Sequence, residues 1–307
     1  MSGTSRIEWT DATWSPVIGC SHAGVSCQNC YAERFAARLA AMGNPHYQQV
    51  ITGGRWNGRT ALVESALDWP LHRHKPKRIF ICSMGDLFHE PVPDEWIDRV
   101  IAIIALCPQH EFVLLTKRVE RMHDYICDRV DRAQMTTQQH LWPLPNLTIG
   151  TSAGTQAELD DRVPLVLATP AARRIVSLEP LLEAVDLRRH IGGSDGDIDE
   201  NRPGGSCCRC GCEWEADGRL NRDVAHQCPE GFGPRLNGVI CGPETGPGRR
   251  PCDPAWIRAV VEQCRDAGVA VFVKAFPMPG NRISKDPAEW PEWARVREWP
   301  GKPGGKE

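Results

Sequence analysis

Between Arg78 and Phe276 the chain keeps returning to one pattern, a short apolar run followed by a helical one, and this alternation limits the fold more than anything else in it. The apolar runs are Arg78–Met84, Glu111–Lys117, Leu147–Ser152, Arg174–Glu179, Gly238–Gly242 and Val269–Phe276. Each is short enough for a strand buried on both faces. Between them lie helical spacings. Pro93-Asp94-Glu95 supplies an N-cap for a helix with Trp96, Ile97, Val100, Ile101 and Ile104 on one face, and Val119, Met122, Ile126 and Val130 mark the next. Gln156 to Ala168 is helical, with Pro164 expected to end or kink it. Asp253-Pro254 opens a helix that turns Trp256, Ile257, Val260, Val261 and Cys264 inward, and Gly268 closes it. Strands separated by helices predict a parallel sheet, and repeated right-handed crossovers curl such a sheet into a partial or full barrel. The runner-up is an open doubly wound sheet, whose first nucleotide-binding unit wants a glycine-rich turn that is absent here.

Outside the alternation the pattern changes. Ile7–Gly19 reads as an extended lead-in, and Tyr31, Phe35, Leu39 and Met42 space a helix that Gly43-Asn44-Pro45 stops. Residues 44–77 read as a surface connection with a short helix around Ala61 to Leu67. Residues 192–234 are rich in Gly, Asp and Cys and lack apolar periodicity, which marks an insertion. The expected organisation is therefore barrel over 1–191, insertion over 192–234, barrel again over 235–300 with Trp290, Trp293 and Trp299 packing back on it, and a disordered tail over 301–307.

Fourteen cysteines are many for 307 residues, and eight of them fall in two groups. Cys20, Cys27 and Cys30 sit between the extended lead-in and a helix N-terminus, where backbone N–H groups and the positive helix end favour thiolates. Three is one fewer than a closed zinc site wants, which leaves a position for something that comes and goes. With iron and sulfide this is a 4Fe-4S cluster with one open iron. Competing readings are zinc completed by His22 and three buried unliganded thiols. The second group can assemble a zinc site from Cys207, Cys210, His226 and Cys228, with Cys208 and Cys212 as substitutes, against the alternative of a flexible insertion with free thiols.

In a parallel barrel the reactive residues collect where strands end. That edge here offers Ser83, Gly85 and Asp86; Thr116, Lys117 and Arg118; Thr151 and Ser152; Glu179; Gly242 and Glu244; and Lys274.

Ile7–Cys20, Cys27-Gln-Asn-Cys-Tyr-Ala-Glu-Arg34, Ser83–Glu90, Leu115–Arg118, Ser177–Leu182 and Cys241–Pro251 together resemble the phage-associated three-cysteine-motif family. That family in turn resembles the radical S-adenosylmethionine enzymes, nearest the spore photoproduct lyase branch. The resemblance implies an α/β fold, a partial or full parallel (β/α) barrel of the radical SAM type related to the TIM barrel, with a small Cys-rich insertion. It implies that Cys20, Cys27 and Cys30 hold the cluster, that its open iron binds S-adenosylmethionine, and that a 5′-deoxyadenosyl radical attacks the substrate. By position Ser83, Gly85 and Asp86 would meet the methionine amino group, and Ser152 and Glu179 the ribose and carboxylate. Two departures stand out. The first cysteine gap is six residues where the superfamily has three, with Tyr31 after the last cysteine and not before it, and Met84-Gly85-Asp86 replaces Gly-Gly-Glu.

Such an enzyme needs an electron donor, and by analogy its substrate is a nucleotide or nucleic acid. The alternative is a non-catalytic metal-binding protein of a bacteriophage or mobile element that grips a nucleic acid or a dedicated partner protein, with Arg202, Arg209, Arg235, Arg249 and Arg250 near the insertion as contacts. A net charge of −3 announces no polycation. The absence of a long apolar run and of a signal-like N-terminus predicts a cytoplasmic protein with no membrane partner. A zinc hydrolase has no His-Glu-x-x-His motif to rest on.

Overall fold

The computed structural model describes residues 2–134, 142–191, 205–206, 213–214 and 236–301. The Cys207, Cys208, Cys210, Cys212, His226 and Cys228 set, Arg202, Arg209 and Arg235, and the tail from 302 lie outside the described residues. The fold is α/β, built on an eight-stranded sheet. Its strands are β1 (Ser2–Thr4), β2 (Ala12–Trp14), β3 (Arg78–Ile81), β4 (Glu111–Thr116), β5 (Leu147–Ser152), β6 (Arg173–Leu178), β7 (Gly238–Cys241) and β8 (Ala270–Val273). They lie side by side in chain order. Within this sheet, among the described residues, only the β1–β2 pair is antiparallel. A doubly wound sheet reverses its strand order at a switch point, and this one does not.

The principal helices are α1 (Tyr31–Ala41), α2 (Asp94–Leu106), α3 (Val119–Gln134), α4 (Gln156–Ala168) and α5 (Pro254–Asp266). Strand residues alternate faces, and the alternation decides where α2 to α5 go. Ile79, Ile81, Phe112, Leu114 and Ile149 pack with Ile97, Val100 and Ile104 of α2 and Met122 and Ile126 of α3. Further along, Val176, Leu178, Val239, Val271 and Val273 pack with Leu159 and Val163 of α4 and Ile257, Val260 and Val261 of α5. Each such side chain, fully buried, contributes about 1.5–3 kcal/mol. Phe80, Val113, Leu115, Ile175, Ile240 and Phe272 point the other way and gather around Trp9. Trp9 stacks on Trp299 with ring centroids 5.8 Å apart. The Trp299 indole N–H donates to Glu111 at 2.8 Å, so the C-terminal tail closes over the start of β4.

Several local expectations shift. Pro164 lies inside α4 without ending it, because Leu159, Val163, Val166 and Leu167 are all buried and their packing outweighs the roughly 3 kcal/mol that an internal proline costs. The N-cap of α2 is Pro93 itself, with no side-chain capping bond, and Asp94 and Glu95 occupy the first turn. Residues 44–77 are more than a surface connection. Tyr47, Val50, Ala61, Val63 and Ala66 form a small core with Ile18 and with Ala32 and Ala36 of α1. The α1 face marked by Tyr31, Phe35 and Met42 is exposed, and the alanine face is buried instead. No helix of the described residues is long and apolar enough to cross a membrane.

Candidate functional site

At the C-terminal ends of the strands lies a cavity of about 390 Å³. Cys20, Cys27, Cys30, Ser83, Gly85, Asp86, Lys117, Ser152, Glu179 and Glu244 all line it. Gly242 does not. Its N–H donates to Leu178 and its carbonyl accepts from Leu181, so it stitches the exit of β7 to that of β6.

The cysteine loop owes its place to two glycines. Gly19 has φ +97°, and a Cβ there would stand 2.2 Å from the Arg59 carbonyl. Gly85 comes so near that a Cβ on it would sit 2.9 Å from the Gly19 carbonyl. The two form a β-bridge, which sets the Ser83–Asp86 turn directly against the entry to Cys20. That turn begins at Cys82, which has φ +53° and, among the described residues, is the only non-glycine with positive φ. Such a backbone costs of the order of 1–3 kcal/mol and is kept where surrounding structure enforces it.

Buried charges then hold the loop from four sides. Arg118 donates to the Ser21 carbonyl at 2.9 Å and hydroxyl at 2.8 Å, and its guanidinium lies 3.7 Å from the Cys20 sulfur. Glu158 accepts from the Ser26 hydroxyl at 3.0 Å and the Gly154 N–H at 2.7 Å, while Arg162 donates to the Ala23 carbonyl at 2.8 Å. Glu244 accepts from Asn29 at 2.9 Å and from the Arg250 N–H at 2.7 Å, and Arg250 reaches the Val25 carbonyl at 2.9 Å. Glu33 accepts from the Trp56 N–H and lies 3.2 Å from His22. Burial pushes the Glu158 and Glu244 carboxyls up, but these donors outweigh it and hold both below the usual carboxylate range.

Asp86 is occupied as a tie between strand ends. Its oxygens accept from the Phe88 N–H at 3.0 Å, the Thr116 hydroxyl at 2.7 Å and the Lys117 N–H at 3.1 Å, and Arg118 is 3.5 Å away. Glu179, just past β6, meets Lys274, just past β8, at 2.5 Å. Ser152 and Ser177 are register partners at the ends of β5 and β6 and both face the cavity.

A family model described as "Protein of unknown function (DUF5131)" matches residues 4–289. The chain belongs to that family. No curated protein and no solved structure matches it. The match runs from the strand before Trp9 to the turn before Trp290, so every residue that lines the cavity of this DUF5131 chain falls inside it.

Among the described residues no group of three or more His, Cys, Asp or Glu could hold a metal ion. A cluster poses a different demand, because each thiolate binds its own iron and the sulfurs need not converge on a point. For that larger group the residues fit. Cys20, Cys27 and Cys30 line one cavity, and a guanidinium 3.7 Å from the Cys20 sulfur offsets negative charge. Burial, then Asp86, pushes the Cys20 thiol up to about 12 against the pull of Arg118, so it stays protonated unless a cation takes the place of its proton.

Apart from Thr151 and Gly242, which do not line the cavity, the cysteines and strand-end residues were legible from spacing and from their position after apolar runs. The DUF5131 chain also lines its cavity with Arg6, Ile7, Trp9 and Lys285, which sequence reasoning missed. The anchors Glu158 and Arg162 escaped it too. At i, i+4 on an amphipathic helix they read as a surface pair, and the buried glutamate next to Gly154 is evident only once β5 is placed.

Proposed function

We propose that this chain is an iron–sulfur enzyme of the radical S-adenosylmethionine type, working in the cytoplasm, with the sheet forming part of a (β/α) barrel. The observation that carries the reading is the sharing of one cavity by Cys20, Cys27 and Cys30 with the strand-end residues Ser83, Asp86, Lys117, Ser152 and Glu179. Sequential strand order, helices α2 to α5 on one face and an apolar cluster on the other support the barrel. In this reading Cys20, Cys27 and Cys30 hold a 4Fe-4S cluster. When bound, the cluster and S-adenosylmethionine supply a 5′-deoxyadenosyl radical able to abstract hydrogen, using one electron from a separate donor.

The chain's own residues then bind, orient and exclude water. Ser152 presents a hydroxyl with no hydrogen-bond partner among the described residues, suited to a ribose, and the Lys274–Glu179 pair offers one group for an amine and one for a carboxylate. Asp86 acts at one remove, by fixing the Lys117 backbone and Arg118. The floor of Trp9, Phe80 and Leu115 keeps bulk water from the sheet side.

The test is anaerobic reconstitution with iron and sulfide, dithionite reduction with S-adenosylmethionine, and assay for 5′-deoxyadenosine, with Cys27→Ala as control. The expected outcome is an iron-loaded wild type that releases deoxyadenosine and a variant that does neither. A wild type that takes up no iron and leaves the cofactor whole overturns the proposal.

A further inference from the structure

One stretch of the cavity wall lies beside the cysteines and, apart from Lys117, is made of residues outside the strand-end set named above. Ile7, Trp9, Phe80 and Leu115 give it an apolar floor, with the Trp9 and Phe80 rings 4.9 Å apart and tilted 57° to each other. Arg6, Lys117 and Lys285 also line the cavity.

The charges there do not balance. Arg118 pairs with Asp86 and with the exposed Glu90, Lys274 with Glu179, Lys285 with Glu8 at 2.7 Å, and Glu244 with Arg250. Arg6 and Lys117 remain, and neither side chain has a hydrogen-bonding or ion-pair partner among the described residues. This excess of positive charge stands out in a chain of net charge −3. The cofactors proposed above do not remove it. A thiolate-bound cluster is negative, S-adenosylmethionine has an ammonium and a sulfonium against one carboxylate, and the two offset each other. A cleft with uncompensated cations and low-dielectric walls concentrates anions.

We infer that this part of the cavity binds a small molecule made of an apolar ring bearing an acidic group, phosphate or carboxylate. The ring lies over Ile7, Phe80 and Leu115, and the acidic group meets Arg6 and Lys117. That this ligand is the substrate rests on the function proposed above; that it binds does not.

The test is calorimetry on the full chain, both as purified and after iron–sulfide reconstitution with S-adenosylmethionine present. Phenyl phosphate, benzoate and benzyl alcohol are the probes. At least one anion should bind about tenfold or more tightly than the alcohol, as expected for a charge-assisted contact. Preference between the two anions identifies phosphate or carboxylate as the source. Arg6→Gln and Lys117→Gln should each weaken the anion about tenfold and leave the alcohol unchanged, while Arg6→Lys and Lys117→Arg restore binding. Binding that ignores charge, no binding at all, or glutamine variants equal to wild type overturns the inference. Iron content measured on the same samples separates the two claims. Anion preference without iron removes only the radical reading, and iron without anion preference removes only this one.

Discussion

Glu179 and Lys274 meet at 2.5 Å across the end of β7, the strand that separates theirs. Both side chains are largely shielded, at 16% and 14% exposure. The pair therefore clamps the exits of three strands at the cavity wall. Lys274→Met should leave a shielded carboxylate without its cation and lower stability by about 1–3 kcal/mol. Adding Glu179→Gln should recover part of that loss. Urea melts of both variants check it, and an unchanged midpoint in the single variant would sink the clamp.

Asp86 makes a stronger tie, because both of its oxygens are engaged and Arg118 leans on it. Asp86→Asn replaces one acceptor oxygen by a donor facing an N–H or hydroxyl and leaves a buried guanidinium with only the exposed Glu90 as its carboxylate partner. The expected cost is about 2–4 kcal/mol. Iron uptake should fall in parallel, since Arg118 also holds Ser21 beside Cys20. Chemical denaturation and iron analysis read the two effects separately.

Gly19→Ala should act on the loop more than on the sheet. A side chain there combines φ +97° with a 2.2 Å approach to the Arg59 backbone, a strain of the order of 2–4 kcal/mol. Local proteolysis within residues 19–30 and lost iron uptake, with the helix signal in circular dichroism retained, are the expected results. A variant that loads iron like wild type contradicts them.

Acid should weaken the fold in two stages. Burial, then Arg118, holds His89 below its ordinary 6.5, and burial does the same to His110. Their neutral forms are favoured in the fold, so this stability is complete above 6.5 and declines as pH falls toward their lowered values. Glu158 and Glu244 are held below 4.5, so their contribution is present above 4.5 and is lost as pH falls through their own lowered values. Thermal melts against pH should show both stages, and Glu158→Gln should shrink the second while costing about 1–3 kcal/mol at neutral pH. A second stage of unchanged size in that variant would assign it elsewhere.

The strands were legible because each is a compact apolar run that only a two-sided sheet can hide, and Ile79, Phe112, Leu147 and Val239 went where that argument sends them. The residues at their exits followed from strand direction alone. What stayed hidden depends on contacts distant in the chain. Arg6 and the extended lead-in from Ile7 show no link to the cavity until Trp9 is stacked on Trp299, and nothing near them announces a partner so far along the sequence. The Tyr31, Phe35 and Met42 spacing identified a helix but not its buried side, because close packing with residues 44–77 favours the small alanines.

The stacking of Trp9 on Trp299 also sets an order of events during synthesis. The strands add in chain order, so most of the sheet can assemble as the ribosome delivers it, each new strand docking beside the last. The chamber cannot be finished that way. Its walls include Arg6 and Trp9 from the beginning and Lys285 from near the end, and Trp9 lacks its stacking partner until residue 299 has left the exit tunnel. A nascent chain thus carries its three thiols in an open half-built vessel, and the brace behind Trp9 arrives last.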